Sequence, residues 1–174
     1  MTAIRGVHHT SFTVANLEQS LSFFRDLLGL EVVFTRAISD DYFGRIVGLP
    51  GCRVKAALLR IPGSTHHLEL FEYVTPPPVG CVAGPGNPQS PTQPFERTGN
   101  APYEIRPCDP GSCHLSFLVD DLPGLYQRLG GQVRFVSAPV RIEAGPNRGG
   151  YGVYARDPNG ILIEFFQPPG QANP

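Results

Sequence analysis

Polar and apolar positions alternate at the start of the chain. In VHHTSFTV (7–14), His9, Ser11 and Thr13 fall on one side of a pleated strand, and Thr10, Phe12 and Val14 on the other. The period then changes. Leu17, Leu21, Phe24, Leu27 and Leu28 in LEQSLSFFRDLLG recur at helical spacing, behind Asn16 as N-cap with Gln19 three residues on. Gly29 occupies the place of a left-handed helix stop. Three strands are expected to follow: 30–37, 53–61 and 66–74, the last two joined at Pro62–Gly63–Ser64.

The same order is written a second time. CHLSFLVDDL (113–122) lies on HHTSFTVANL (8–17) so that His114 falls on His9, Phe117 on Phe12, Val119 on Val14 and Asp121 on Asn16. A helix capped by Asp121 should run to Gly130–Gly131, followed by strands over 132–136, 150–155 and 161–167, with RDPNG as the tight turn between the last two. Strand, helix and three strands, twice over, predict an α+β protein with mostly antiparallel curved sheets. The modules are 5–74 and 113–169 of a single domain spanning 1–174. Between them, 75–112 is too rich in proline and glycine for regular structure. It reads as a linker, or as a lid able to dock through Phe95, Tyr103 and Ile105.

Composition narrows the function. The 174 residues are 41% hydrophobic and 17% charged with a formal net charge of −1, which suits a globular fold without the basic footprint of a nucleic-acid binder. No membrane span or secretory leader is expected, and the four cysteines form no CxxC pair. A reduced, cytoplasmic setting is the expectation.

Sorting the other strands by face brings chemistry together. His67, Glu69 and Phe71 oppose Leu68 and Leu70. His114, Ser116 and Leu118 oppose Leu115, Phe117 and Val119. Leu162 and Glu164 oppose Ile161, Ile163 and Phe165. With the apolar faces under the helices, each module offers one imidazole and one carboxylate at equivalent places. His9, Glu69, His114 and Glu164 are a donor set for one divalent transition metal: Ni, Co, Zn, Mn or Fe. His8 and His66 are expected to face away and be inert. His67 lines the same face as Glu69, as a polar wall or substrate contact, with Phe71 beside it. Arg148 in GPNRGGYG is either a solvated loop charge or a grip for an anion. Tyr154 reads as core packing, with a phenol that could donate a proton.

These motifs together resemble the vicinal oxygen chelate superfamily of glyoxalase I, methylmalonyl-CoA epimerase, extradiol dioxygenases and fosfomycin or bleomycin resistance proteins. HTSFTVANL is similar to its opening strand, LELFEY to its second ligand strand, CHLSFLVDD to its third and YARDPNGILIEFFQ to its closing hairpin. The resemblance implies two βαβββ modules forming a curved, barrel-like mixed sheet around a metal on His9, Glu69, His114 and Glu164. It also implies a small-molecule substrate with adjacent oxygens, and a homodimer. The expected activity is a glyoxalase-type lyase or isomerase working through an enediolate or enolate, with Glu164 as base and Glu69 second. An Fe(II) extradiol dioxygenase is the alternative, although such enzymes need no carboxylate on the second ligand strand. A non-catalytic binding or resistance protein is a further alternative, although such binders lack the ligand set.

Overall fold

The computed structural model describes residues 6–77 and 106–170. The chain divides into two compact units, Met1–Cys81 and Val82–Pro174. Phe95, Tyr103 and Ile105, the residues of the expected lid, lie outside the described residues. Among the described residues no helix is long and apolar enough to cross a membrane.

The first unit is one four-stranded sheet with helices. Strand β1 (His9–Thr13) leads into helix α1 (Leu17–Leu21), which continues as a π-helix over Ser22–Leu27. Then come β2 (Glu31–Ile38), helix α2 (Asp41–Val47), β3 (Arg53–Arg60) and β4 (His67–Thr75). The sheet order is β1-β4-β3-β2, with β1 parallel to β4 and the rest antiparallel. Asn16 caps α1 as expected, its Oδ1 accepting from Gln19 N at 2.9 Å. The widened π turn, closed by Leu28 N donating to Phe23 O at 3.0 Å, changes which residues face inward. Both Phe23 and Phe24 are buried, while Leu27 and Leu28, expected in the core, are only half-buried. Gly29 then takes φ +77°, a conformation that costs a side chain energy and glycine none.

The core of this unit is the helix-facing side of the sheet. Phe12, Val14, Ala57, Leu59, Leu68 and Leu70 are buried there with Leu17, Leu21 and Phe24. Alternation along β1 and β4 therefore turns His9, Ser11, His67 and Glu69 to the other side, as the pattern required.

Helix α2 has no counterpart among the predicted elements. It packs a second, smaller core with Phe43, Ile38, Cys52, Val54 and Ala56, against which Phe71 and Tyr73 rest. Its mid-helix glycine hides it from propensity reasoning, since Gly44 reads as a breaker. Gly44 is there for space: a Cβ would come within 2.9 Å of the Leu49 carbonyl oxygen.

The second unit repeats the plan. Strand β5 (His114–Leu118), helix α3 (Leu122–Leu129), β6 (Arg134–Phe135), β7 (Val140–Arg141), β8 (Tyr151–Arg156) and β9 (Leu162–Gln167) build a sheet in the order β5-β9-β8-β6, with β7 also on β8. The strand expected over 132–136 is shorter, Arg134–Phe135, and an unexpected short strand, Val140–Arg141, follows it on β8. The chain advances from Phe135 to Val140 while its partner moves only from Ala155 to Gly152, so the surplus residues leave the ladder. Each unit is thus an open βαβββ sheet.

The repetition reaches individual hydrogen bonds. Val14 N donates to Phe71 O at 2.8 Å, and Val119 N to Phe166 O at 2.9 Å. At the start of α1, Leu17 N donates to Glu72 Oε2 at 2.7 Å; at the start of α3, Leu122 N donates to Gln167 Oε1 at 2.8 Å. In both units the residue three places after the candidate ligand carboxylate pins the helix to the ligand strand.

Candidate metal centre

Register sets the donors side by side. His9 stands opposite His67 and Ser11 opposite Glu69 on the parallel β1–β4 pair. His114 stands opposite Leu162 and Ser116 opposite Glu164 on β5–β9. In the first unit His9 Nε2 lies 3.4 Å from Glu69 Oε2; in the second His114 Nε2 lies 3.4 Å from Glu164 Oε2. The histidine is the ion-pair partner of each carboxylate among the described residues, and both carboxylates are largely withdrawn from solvent.

That separation is informative. A charge-assisted N–H···O contact closes to about 2.7–2.9 Å. Two donors each about 2.1 Å from a shared ion stand about 3.0 Å apart at a right angle and about 3.4 Å apart at the tetrahedral angle. The same atoms at the same distance in both units fit a divalent metal with nitrogen and oxygen ligands. The structure brings together His9 with Glu69 and His114 with Glu164. It gathers no group of three or more His, Cys, Asp or Glu among the described residues, so the four donors expected from the sequence stand as two pairs.

The neighbours of the pairs differ between the units. His8, expected to face away from the metal and be inert, has its Nδ1 2.7 Å from His9 Nδ1, the nitrogen turned away from Glu69, with the two rings edge to face at 5.0 Å. His8 immediately precedes β1, its carbonyl oxygen still accepting from His67 N at 3.3 Å, so alternation points its ring away from the face of His9 and gives no signal of the contact. In the second unit the same position is Cys113, which is exposed. There the conspicuous neighbour is Tyr154, whose Oη stands 3.4 Å from His114 Nε2 and whose ring meets the imidazole edge to face at 5.0 Å. Tyr154 is paired across β8–β9 with Glu164; the matching position in the first unit, opposite Glu69, is Leu58. Burial, and secondarily the charge of Glu164, raise the phenol above the usual tyrosine value. It stays a neutral hydrogen-bond donor at physiological pH.

The remaining candidates divide. His67 stacks on His8 at 6.1 Å and keeps Nδ1 buried with no partner among the described residues. Phe71 shares the face of Glu69, but its ring seats α2 through Phe43, 5.5 Å away. Arg148 is exposed in the turn between β7 and β8. His66 ties down Thr10, with Nε2 and Oγ1 2.8 Å apart.

The family profile described as the Glyoxalase/Bleomycin resistance protein/Dioxygenase superfamily matches residues 6–165. The chain belongs to this superfamily. It is 29% identical over 171 residues to a 2-epi-5-epi-valiolone epimerase of an Actinomyces species, an alignment covering 95% of this chain and 81% of that protein. Its fold is like that of a glyoxalase family protein from Bacillus cereus, with a TM-score of 0.70 at 21% identity over 98% and 100% of the two chains. A lactoylglutathione lyase from Agrobacterium tumefaciens gives a TM-score of 0.51 at 22% identity over 95% and 96%. The superfamily fold expected from the repeated motifs is the fold found. Members of the superfamily typically bind a divalent metal, and the donor chemistry of each His–Glu pair suits one.

Proposed function

We propose that this chain is a metal-dependent isomerase of epimerase type. It would move a proton at a carbon beside the carbonyl of a small hydroxy ketone, with His9, Glu69, His114 and Glu164 holding one divalent ion. The observation that carries the reading is the pair of equivalent His–Glu contacts, 3.4 Å in each unit. Similarity to an epimerase over nearly the whole chain favours isomerisation over the lyase and dioxygenase chemistries of the same superfamily. His9, Glu69, His114 and Glu164 would hold the ion, which when bound would also take the adjacent oxygens of a hydroxy ketone. When bound, the ion would supply Lewis-acid polarisation of the carbonyl, which acidifies the neighbouring C–H.

The protein's own groups do the rest. Glu164 takes the proton from the substrate carbon, leaving an enolate. The Tyr154 hydroxyl donates a hydrogen bond to the substrate oxygen as charge develops there. Its raised proton affinity lets it do so without surrendering the proton. Inverting the carbon requires a proton to be delivered to the opposite face; Glu69 is the second carboxyl group for this, starting the cycle protonated, and proton exchange of Glu164 and Glu69 with solvent restores both for the next turnover. No electron leaves the substrate and no water enters.

The test is incubation of metal-loaded protein with a small hydroxy ketone in D2O, followed by NMR, beside an oxygen electrode. Deuterium is expected at the carbon next to the carbonyl, without oxygen uptake. Glu164→Gln, which keeps a ligating oxygen but cannot accept the proton, should cut exchange by about 10²–10⁴-fold while bound metal is largely kept. Oxygen consumption with catechols under Fe(II), or exchange indifferent to Glu164, would overturn the reading.

A further inference from the structure

Two imidazole nitrogens 2.7 Å apart must share a single proton, one ring presenting N–H and the other a lone pair. The sharing atoms are Nδ1 of His8 and Nδ1 of His9, whereas the nitrogen that faces Glu69 is Nε2 of His9. If His9 offers its Nε2 lone pair to a metal, its proton must sit on Nδ1. The direction of the bond follows: His9 donates and His8 accepts. The His8 ring also stacks with that of His67, the centroids 6.1 Å apart at an interplanar angle of 30°.

We propose that His8 is the positioning residue of the first half-site, fixing the His9 tautomer and ring direction that metal binding requires. The proposal rests on the reading of His9 as a ligand. Imidazole ligands are commonly oriented by a carboxylate or backbone carbonyl on the far nitrogen, and removal of such a partner costs about 10–100-fold in metal affinity. Here a second imidazole takes that place, and only in one half. Cys113, the counterpart of His8, offers no comparable acceptor, and Tyr154 approaches His114 on the nitrogen facing the carboxylate. The duplicated halves are therefore organised oppositely: His9 is steadied from behind, and His114 is accompanied on its working side.

The experiment compares His8→Ala and His8→Asn in the full chain, with His9→Ala and His114→Ala as references. Asparagine places a carbonyl oxygen near the former Nδ1 and can accept the same proton. Zn2+ affinity is read by competition with a chromophoric chelator, and the His9 tautomer by long-range nitrogen–proton NMR of the metal-free protein. His8→Ala should weaken Zn2+ binding about 10–100-fold and shift His9 away from the Nδ1–H form, while His8→Asn should restore both. Wild-type affinity in His8→Ala, or a loss that His8→Asn does not restore, overturns the proposal. If His9→Ala and His114→Ala also keep their Zn2+, the metal reading itself fails. If they lose it and His8→Ala does not, only the role of His8 fails.

Discussion

Replacing Glu72 with alanine should loosen helix α1 from the strand that carries Glu69. Glu72 Oε2 accepts from Leu17 N at 2.7 Å, and its Oε1 accepts from Lys55 Nζ, also at 2.7 Å. A hydrogen bond to a charged group contributes about 1.5–3 kcal/mol. The Lys55 contact adds no more than about 1 kcal/mol, because the lysine side chain is 56% exposed. The expected loss for Glu72→Ala is thus about 2–4 kcal/mol, on the order of 30- to 1000-fold faster exchange of the Leu17 amide if local opening governs it. Burial by itself would raise the Glu72 carboxyl, but Lys55 and the Leu17 N–H outweigh it and hold the group below its ordinary value. The unfolded chain therefore takes up the proton first on acidification. The stabilisation is complete above the ordinary carboxylate value and is lost as pH falls through the lowered folded value. The second unit supplies an internal control, because Leu122 N donates to Gln167, which cannot titrate. In one series of exchange spectra, corrected for intrinsic rates, Leu17 should lose protection on acidification while Leu122 does not. Glu72→Gln should abolish the difference. Equal acid sensitivity of the two amides, or its persistence in Glu72→Gln, would refute the reasoning.

Two further outcomes can be checked alongside those for Glu164 and His8. Tyr154→Phe keeps the ring against His114 but removes the donor, so kcat should fall about 10²-fold with metal content unchanged; an unaltered kcat removes Tyr154 from the chemistry. Asp157 is 5% exposed and its Oδ1 accepts from Asn159 N and Ile161 N, both at 2.8 Å. Asp157→Ala strands both donors and should cost about 2–4 kcal/mol, lowering the urea midpoint of the second unit; Asp157→Asn should cost less, and equal losses would disprove the capping role.

Much of this was legible in the chain because alternation inside a strand is a steric necessity. Once Phe12, Leu68, Phe117 and Ile163 must face a helix, His9, Glu69, His114 and Glu164 must face away from it. The repeat made the same inference twice, and the structure returns it in matching registers. What escaped lies where those rules stop. His8 stands one residue before β1, and alternation along the strand gives no hint that its ring meets that of its neighbour His9. The π turn depends on a five-residue hydrogen bond that leaves no mark in a 3.6-residue pattern. Helix α2 carries in its middle a glycine that reads as a breaker but serves packing. Glu72 and Gln167 act on the helix N-termini through contacts 55 and 45 residues apart along the chain, too remote for local patterns to register.

The sheet order has a consequence for how such a protein can change. In each unit the two ligand strands are neighbours at one edge, β1 beside β4 and β5 beside β9, while the connection after the fourth strand in the row lies at the opposite edge. Length can be gained there without shifting a donor. From the first unit to the second, the opening strands are separated by 105 residues and the closing ligand strands by only 95, yet both His–Glu distances are the same. Helix α2 is part of the surplus, and through Phe43 it reaches back to Phe71, two residues beyond Glu69 on the same face. Insertions at that edge can therefore remodel the wall beside the His–Glu pairs while the pairs themselves keep their geometry, so on the proposed reading selectivity and metal binding are free to evolve at different rates.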